Sequence, residues 1–193
     1  MVAAPQPAAG RADGAPGARG RRVLLVCGGA HALHDGYTDL LGILLPLLRD
    51  QFALGYTAVG ALRTLYACGM AGGQIPAGLL AERFGGRWLL AGGTALAATG
   101  YLVAGLGGAL AAATIGIALS GLGSATQHPI ASSLVAAAHE GAASRPALAS
   151  YNFAGDVGKV LVPALFAFLA AAWDWRAGLV AVALAGLAAA TAL

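Results

Sequence analysis

Residues 88–108 read WLLAGGTALAATGYLVAGLGG, twenty-one residues without one charged side chain. A helix crosses the hydrocarbon core of a bilayer with about 20 apolar residues, so this stretch is long enough to span. It lacks the two-residue alternation of a barrel strand, and only helices and closed barrels satisfy their backbone groups in lipid. Five further apolar segments flank it: Val23–Leu48, Thr57–Leu80, Ala109–Ala138, Ala147–Ala172 and Ala177–Leu193. Together they account for nearly all of the chain after residue 22. The fold class expected is therefore an all-α membrane protein with six transmembrane helices, embedded in a lipid bilayer.

Composition agrees. Hydrophobic residues make up 59% of the chain and charged residues 10%, against about 25% charged in soluble domains. The thirty glycines suit membrane helices, where small residues let backbones approach closely. Cys27 and Cys68 fall inside apolar runs without zinc or redox spacing and read as packing residues. Residues 1–22 differ: Ala, Gly, Pro and Arg without apolar periodicity predict a disordered cytoplasmic tail, followed by a six-helix domain over 23–193. The first apolar run, about 26 residues with acids and histidines inside it, is too long and too polar for the apolar region of a signal peptide. It is expected to stay as a helix.

Charge placement predicts orientation. With the N-terminus inside, the inner segments hold Arg11, Arg19, Arg21, Arg22, Arg83, Arg87 and Arg145, while the outer loops hold Arg49 and Arg176. Seven against two is a positive-inside bias, and six spans return the C-terminus to the cytoplasm. The connecting loops are short, so chemistry is expected within the helices or at their ends. No nucleic-acid partner is expected.

The loop after the second span carries the sharpest motif: Gly78-Leu79-Leu80-Ala81-Glu82-Arg83-Phe84-Gly85-Gly86-Arg87-Trp88-Leu89-Leu90. Gly78 permits close helix contact, Gly85 a tight turn, and the charges stand at helix ends where dipoles and water receive them. The segment resembles the loop signature of the major facilitator superfamily, a family of secondary transporters. Gly78, Leu80, Ala81, Arg83, Gly85, Arg87 and Leu90 match that pattern; Glu82 stands for the usual Asp, and Gly86 for a basic residue. Trp173-Asp174-Trp175-Arg176 resembles the turn the family often carries between its fifth and sixth helices. Gly155-x-x-Gly158-x-x-x-x-Pro163 is a faint version of the glycine-proline pattern of antiporters, with Val162 where Gly is usual.

Two further pieces resemble the fosmidomycin-resistance type of drug exporter within that superfamily. These are His31-x-x-x-Asp35 with Pro46-Leu47-Leu48 in the first helix, and Gly123-Ser124-x-x-x-His128-Pro129-x-x-Ser132 in the fourth. The resemblance implies a secondary active transporter of small molecules, working by proton-coupled efflux in a bacterial plasma membrane, without a cofactor and not an enzyme.

The polar residues inside the spans argue independently. His31, His34, Asp35, Thr38 and Asp39 recur at helical spacing and form one stripe of the first helix. A carboxylate at mid-membrane costs about 2.5–3.5 kcal/mol on insertion scales, so the stripe should face the bundle interior or a watery cavity. Burial disfavours the charged form of either group, which suits proton exchange. His34, Asp35 and Asp39 are the candidates for coupling to protons or substrate; His31 lies nearest the inner end, within reach of water. His128-Pro129 should interrupt the fourth helix, and interrupted helices mark transporter sites. In the fifth, Asp156 and Lys159 stand i, i+3 and could neutralise one another, with Asn152 nearby. Arg63, about two turns into the second helix, could pair with Asp35, Asp39 or Asp156.

Other classes fit less well. No dense ligand spacing marks His31, His34, Asp35 and His128 as a metal site, and adjacent residues diverge by about 100° on a helix. An intramembrane enzyme could draw on Ser120, Ser124 and His128, but no nucleophile elbow is present. A non-transporting scaffold or sensor is the remaining alternative.

Family members normally hold two six-helix halves, each an inverted 3+3 repeat. This chain supplies one half, compatible with that repeat: Pro76-Ala77-Gly78 in the second span answers Pro163-Ala164-Leu165 in the fifth. The missing half is expected either as a C-terminal continuation, the last span having no charged flank, or as a second copy in a parallel dimer.

Overall fold

The computed structural model describes residues 17–193. Seven α-helices follow in order: α1 (Ala18–Phe52), α2 (Tyr56–Phe84), α3 (Gly86–Leu106), α4 (Leu110–Ser124), α5 (Gln127–Ala138), α6 (Ser144–Ala172) and α7 (Trp175–Ala192). α4 and α5 run on as one interrupted span, so the described chain crosses the bundle six times.

Two boundaries differ from expectation. α1 begins at Ala18, so Arg19, Arg21 and Arg22 belong to the helix and not to a tail; Ala18 and the arginines favour helix, and Gly20 is held there by its packing against Ala138 and His139. Residues 1–16 of the expected tail lie outside the described residues. The interruption of the fourth span falls at Ala125–Thr126, just before His128-Pro129. There Ala125 N donates to the Leu122 carbonyl at 3.2 Å and Thr126 N to that of Gly123 at 3.5 Å, which tightens the last turn of α4. Pro129 thus sits in the first turn of α5, where a missing N–H leaves nothing unpaired.

Four stretches are apolar and long enough to span by composition alone: Gly86–Leu106, Leu110–Ala138, Gly141–Ala172 and Trp175–Ala192. α1 and α2, at 35 and 29 residues, are also long enough, but carry the polar stripe and Arg63.

Contacts between loops fix the two ends of the bundle. At one end Arg176 donates to the Gly108 carbonyl at 3.3 Å, joining the α3–α4 and α6–α7 turns. Asp174 Oδ1 accepts from Arg176 N at 2.9 Å and caps α7. At the other end Gly20 of α1 lies against Ala138 and His139 after α5, and Arg87 Nε donates to the Leu193 carbonyl. Gly85, at φ +90°, makes the α2–α3 turn that its place in the loop motif requires.

α1 packs most extensively on α6, α3 on α4 and α7, and α2 on α4. First on fifth, fourth on second and third on sixth is the exchange that an inverted 3+3 repeat produces. The seams close through small residues. A Cβ on Gly158 would meet the backbone of Ala32, and one on Gly36 would meet Val162 and the Gly158 carbonyl. α1 and α6 therefore touch backbone to backbone, as small residues allow in membranes, and Val162 fills the slot opposite Gly36.

Two apolar cores result. Tyr37, Leu40, Leu41, Leu44, Leu48, Tyr66, Tyr101, Ile117, Phe166 and Leu179 fill one end, and Cys27, Leu90, Ile130, Ala131, Val135, Ala147 and Tyr151 the other. Between Cys27 and Tyr37 along α1 lies a polar layer.

Candidate functional site

The polar layer lies at mid-span. Asp35 stands ~26 Å along the ~52 Å of α1, and Lys159 ~22 Å along the ~43 Å of α6, at about 1.5 Å of rise per residue. His31, His34 and Asp35 are buried, at 4%, 7% and 7% exposure. The tight α1–α6 seam puts them opposite Tyr151, Gly155 and Lys159.

Asp35 is the hub. Its Oδ1 lies 3.3 Å from His31 Nε2 and 3.7 Å from His34 Nε2, and its Oδ2 lies 3.3 Å from Lys159 Nζ. Lys159 also donates to Asp156 Oδ1 at 2.9 Å, so one ammonium bridges two carboxylates. His31 Nδ1 lies 3.0 Å from the Tyr151 carbonyl oxygen, and the Tyr151 ring stacks on the His31 ring at 4.1 Å between centroids. His128, at the start of α5, meets the rings of His31 and His34 edge-on at 5.4 and 4.9 Å. Gly155 leaves room for the pair: a Cβ there would stand 2.7 Å from both Asp35 Oδ2 and His31 Cε1.

The structure thus brings together His34, Asp35, His128, Asp156 and Lys159, and separates two other candidates. Asp39 is exposed and makes no contact with the cluster, because the stripe divides: Thr38 turns to Tyr66, its hydroxyl 2.9 Å from the Tyr66 hydroxyl. Arg63 donates to the Thr38 carbonyl at 3.3 Å and not to a carboxylate. His31, expected near water at the inner end, is instead buried inside the cluster. Its i, i+4 spacing to Asp35 was the sequence signal for that contact.

His31, Asp35 and His128 bring one donor atom each within 4.8 Å of one another, a proximity that metal sites share. Lys159 already places a positive charge on the second oxygen of Asp35. The serines weighed for an enzyme are engaged in packing: Ser120 donates to the Ala97 carbonyl at 2.7 Å, and Ser124 bonds the Tyr66 hydroxyl at 3.0 Å.

In the loop signature Glu82, Arg83, Gly85 and Arg87 are exposed at one end of the bundle, the Arg83 guanidinium over the Phe84 ring and that of Arg87 over Trp88. Gly78 was expected to serve a close helix contact. Among the described residues nothing lies within 4 Å of a Cβ placed there. It opens instead on a groove between α2 and α5, lined by Gln74, Glu82, Pro129 and Ser133.

The profile of the Major Facilitator Superfamily matches residues 27–193. The chain belongs to this superfamily. Its fold is one half of the family's, six transmembrane helices in an inverted 3+3 arrangement. The chain is 28% identical over 190 residues to the "Fosmidomycin resistance protein" of Escherichia coli (strain K12), covering 94% of this chain and 47% of that protein. It therefore spans about half the length of this curated relative. Among solved structures, a peptide transporter crystallised with sulfate and again with alafosfalin superposes at a TM-score of 0.77 and 19% identity. Each match covers 88% of this chain and 37% of that one, and at that identity it establishes the fold alone.

Proposed function

We propose that this chain is one six-helix half of a secondary active transporter that exports small molecules in exchange for protons. The observation that carries the reading is the Asp35 cluster. Buried ionisable groups at the centre of membrane helices are costly, and they mark ion or substrate pathways. Here they stand beside a face that this half leaves uncovered: His128, Asn152, Asp156, Lys159, Asp39 and Arg63 are all exposed.

A second half, from a continuation of the chain or from another copy, would cover that face and enclose a path. Asp35 anchors the proton site in this reading, His31, His34 and His128 line it, and Lys159 with Asp156 balances its charge. Asp39 and Arg63, on the same open face, belong to the substrate side. Export is supported by the resistance named for the E. coli relative. Cytoplasmic termini are supported by the arginine bias, and a bacterial inner membrane by the E. coli relative.

The test is Asp35→Asn in the assembled transporter, reconstituted in sealed vesicles with an imposed pH gradient. Gradient-driven flux should be lost while insertion and unfolding temperature stay near those of the parent. Full flux in a folded Asp35→Asn protein would remove Asp35 from the coupling step.

A further inference from the structure

We infer that His31 and Asp35 hold one proton between them, as a single unit that Lys159 ties to α6. The inference deepens the proton-coupled reading above and rests on it for its role in transport.

The Tyr151 carbonyl oxygen only accepts, so at 3.0 Å it requires the hydrogen on His31 Nδ1. In a neutral ring that leaves Nε2 with a bare lone pair. Nε2 faces Asp35 Oδ1 at 3.3 Å, and a carboxylate oxygen is also only an acceptor. Nε2 makes no aligned hydrogen bond, and a bare lone pair buried this close to a carboxylate oxygen is unfavourable, so the contact needs a hydrogen on Nε2, held as an ion pair with Asp35. The ring cannot swing away to escape the conflict. Tyr151 stacks on one face of it, and the Gly155 backbone closes in beside Cε1.

Charge balance agrees. With the proton in place, His31 and Lys159 each carry one positive charge, and Asp35 and Asp156 one negative charge each. The four groups are then neutral at mid-membrane, where net charge is costly. The other titratable groups facing the pair are Cys27 and His34 on α1, His128 on α5 and Tyr151 on α6. When the proton leaves Nε2, Nδ1 keeps its own hydrogen and no electrons move. The four groups are then left with one negative charge, concentrated on Asp35. Lys159 is the mobile partner: its side chain is 44% exposed, and it already shares its hydrogens between Asp35 and Asp156. Proton loss therefore draws Lys159 onto Asp35 and frees Asp156, which is 67% exposed, toward the open face. Proton binding thereby reaches the surface of α6 that the second half would meet.

The test needs no substrate. The chain, labelled with nitrogen-15 in histidine and placed in lipid nanodiscs, is titrated while NMR reports which ring nitrogen carries hydrogen. His31 should keep its hydrogen on Nδ1 throughout, with Nε2 alone titrating. Asp35→Asn should weaken proton binding at Nε2 at least tenfold, and Lys159→Met should strengthen it at least threefold. The His139 signal, from a ring bonded to the Val135 carbonyl away from the cluster, should stay in place. His31 with its hydrogen on Nε2 and a bare Nδ1 would overturn the inference. So would titration that moves less than twofold in both variants. Should Asp35→Asn fail to fold, Lys159→Met decides alone, its site being on the exposed face. An intact shared proton without gradient-driven flux would sink the transport reading and leave the pair standing. Flux with an unmoved His31 titration would do the reverse.

Discussion

Gly155→Ala separates the fold from the site. The added methyl would stand 2.7 Å from Asp35 Oδ2 and His31 Cε1, and 2.9 Å from His31 Nδ1. Non-bonded carbon contacts settle at about 3.5–4.0 Å, so both side chains must retreat by about 1 Å. Two contacts have no such slack: His31 Nδ1 to the Tyr151 carbonyl at 3.0 Å, and Lys159 Nζ to Asp35 Oδ2 at 3.3 Å. Lengthened by about 1 Å, neither remains a hydrogen bond. A lost bond to a charged group is worth about 1.5–3 kcal/mol, which is about 10–100-fold in occupancy of the aligned state. The fold suffers less. Overpacking costs about 1–3 kcal/mol, and replacing Gly by Ala inside a helix returns about 1 kcal/mol. The net is a destabilisation of about 0–2 kcal/mol. Thermal unfolding in detergent reads the first effect, and histidine NMR with gradient-driven flux reads the second. Gly29→Ala is the control, because open space surrounds its Cβ position; it should leave both readings near those of the parent. Wild-type His31 signals and full flux in Gly155→Ala would refute the claim that Gly155 reserves the space for the pair.

Two other predictions address orientation and the core. Single cysteines at Ala53 or Asp174, in a background without Cys27 and Cys68, should react with an impermeant reagent added outside intact cells, and one at Phe84 should not; the opposite pattern would invert the topology. Tyr101→Phe should cost about 0.5–1.5 kcal/mol in detergent unfolding, because the fully buried hydroxyl donates to the Tyr37 carbonyl. An unchanged midpoint would assign that bond no net weight.

The sequence by itself determined the number and kind of the elements. Apolar length set six crossings, since lipid leaves few other options for the backbone, and the residue 78–90 loop set the family. Gly85 was readable because its turn needs a positive φ that glycine supplies without strain. The Asp156–Lys159 pair was readable because it lies within one helical turn. Contacts between helices were not. Whether Asp39 joins Asp35 or turns outward depends on where α1 meets α6, and that register is set by the close backbone approach at Gly36 and Gly158 and by the room Gly155 leaves for Asp35 and His31, which spacing along one helix does not encode. The burial of His31 has the same origin: distance from the chain's inner end suggested water, while packing against Tyr151 excluded it. Arg63 had three carboxylates available on paper, and the tertiary arrangement gave it the Thr38 carbonyl. Local periodicity placed each polar residue on a helix; only the approach of the helices decided which residues share a proton and which face the open side.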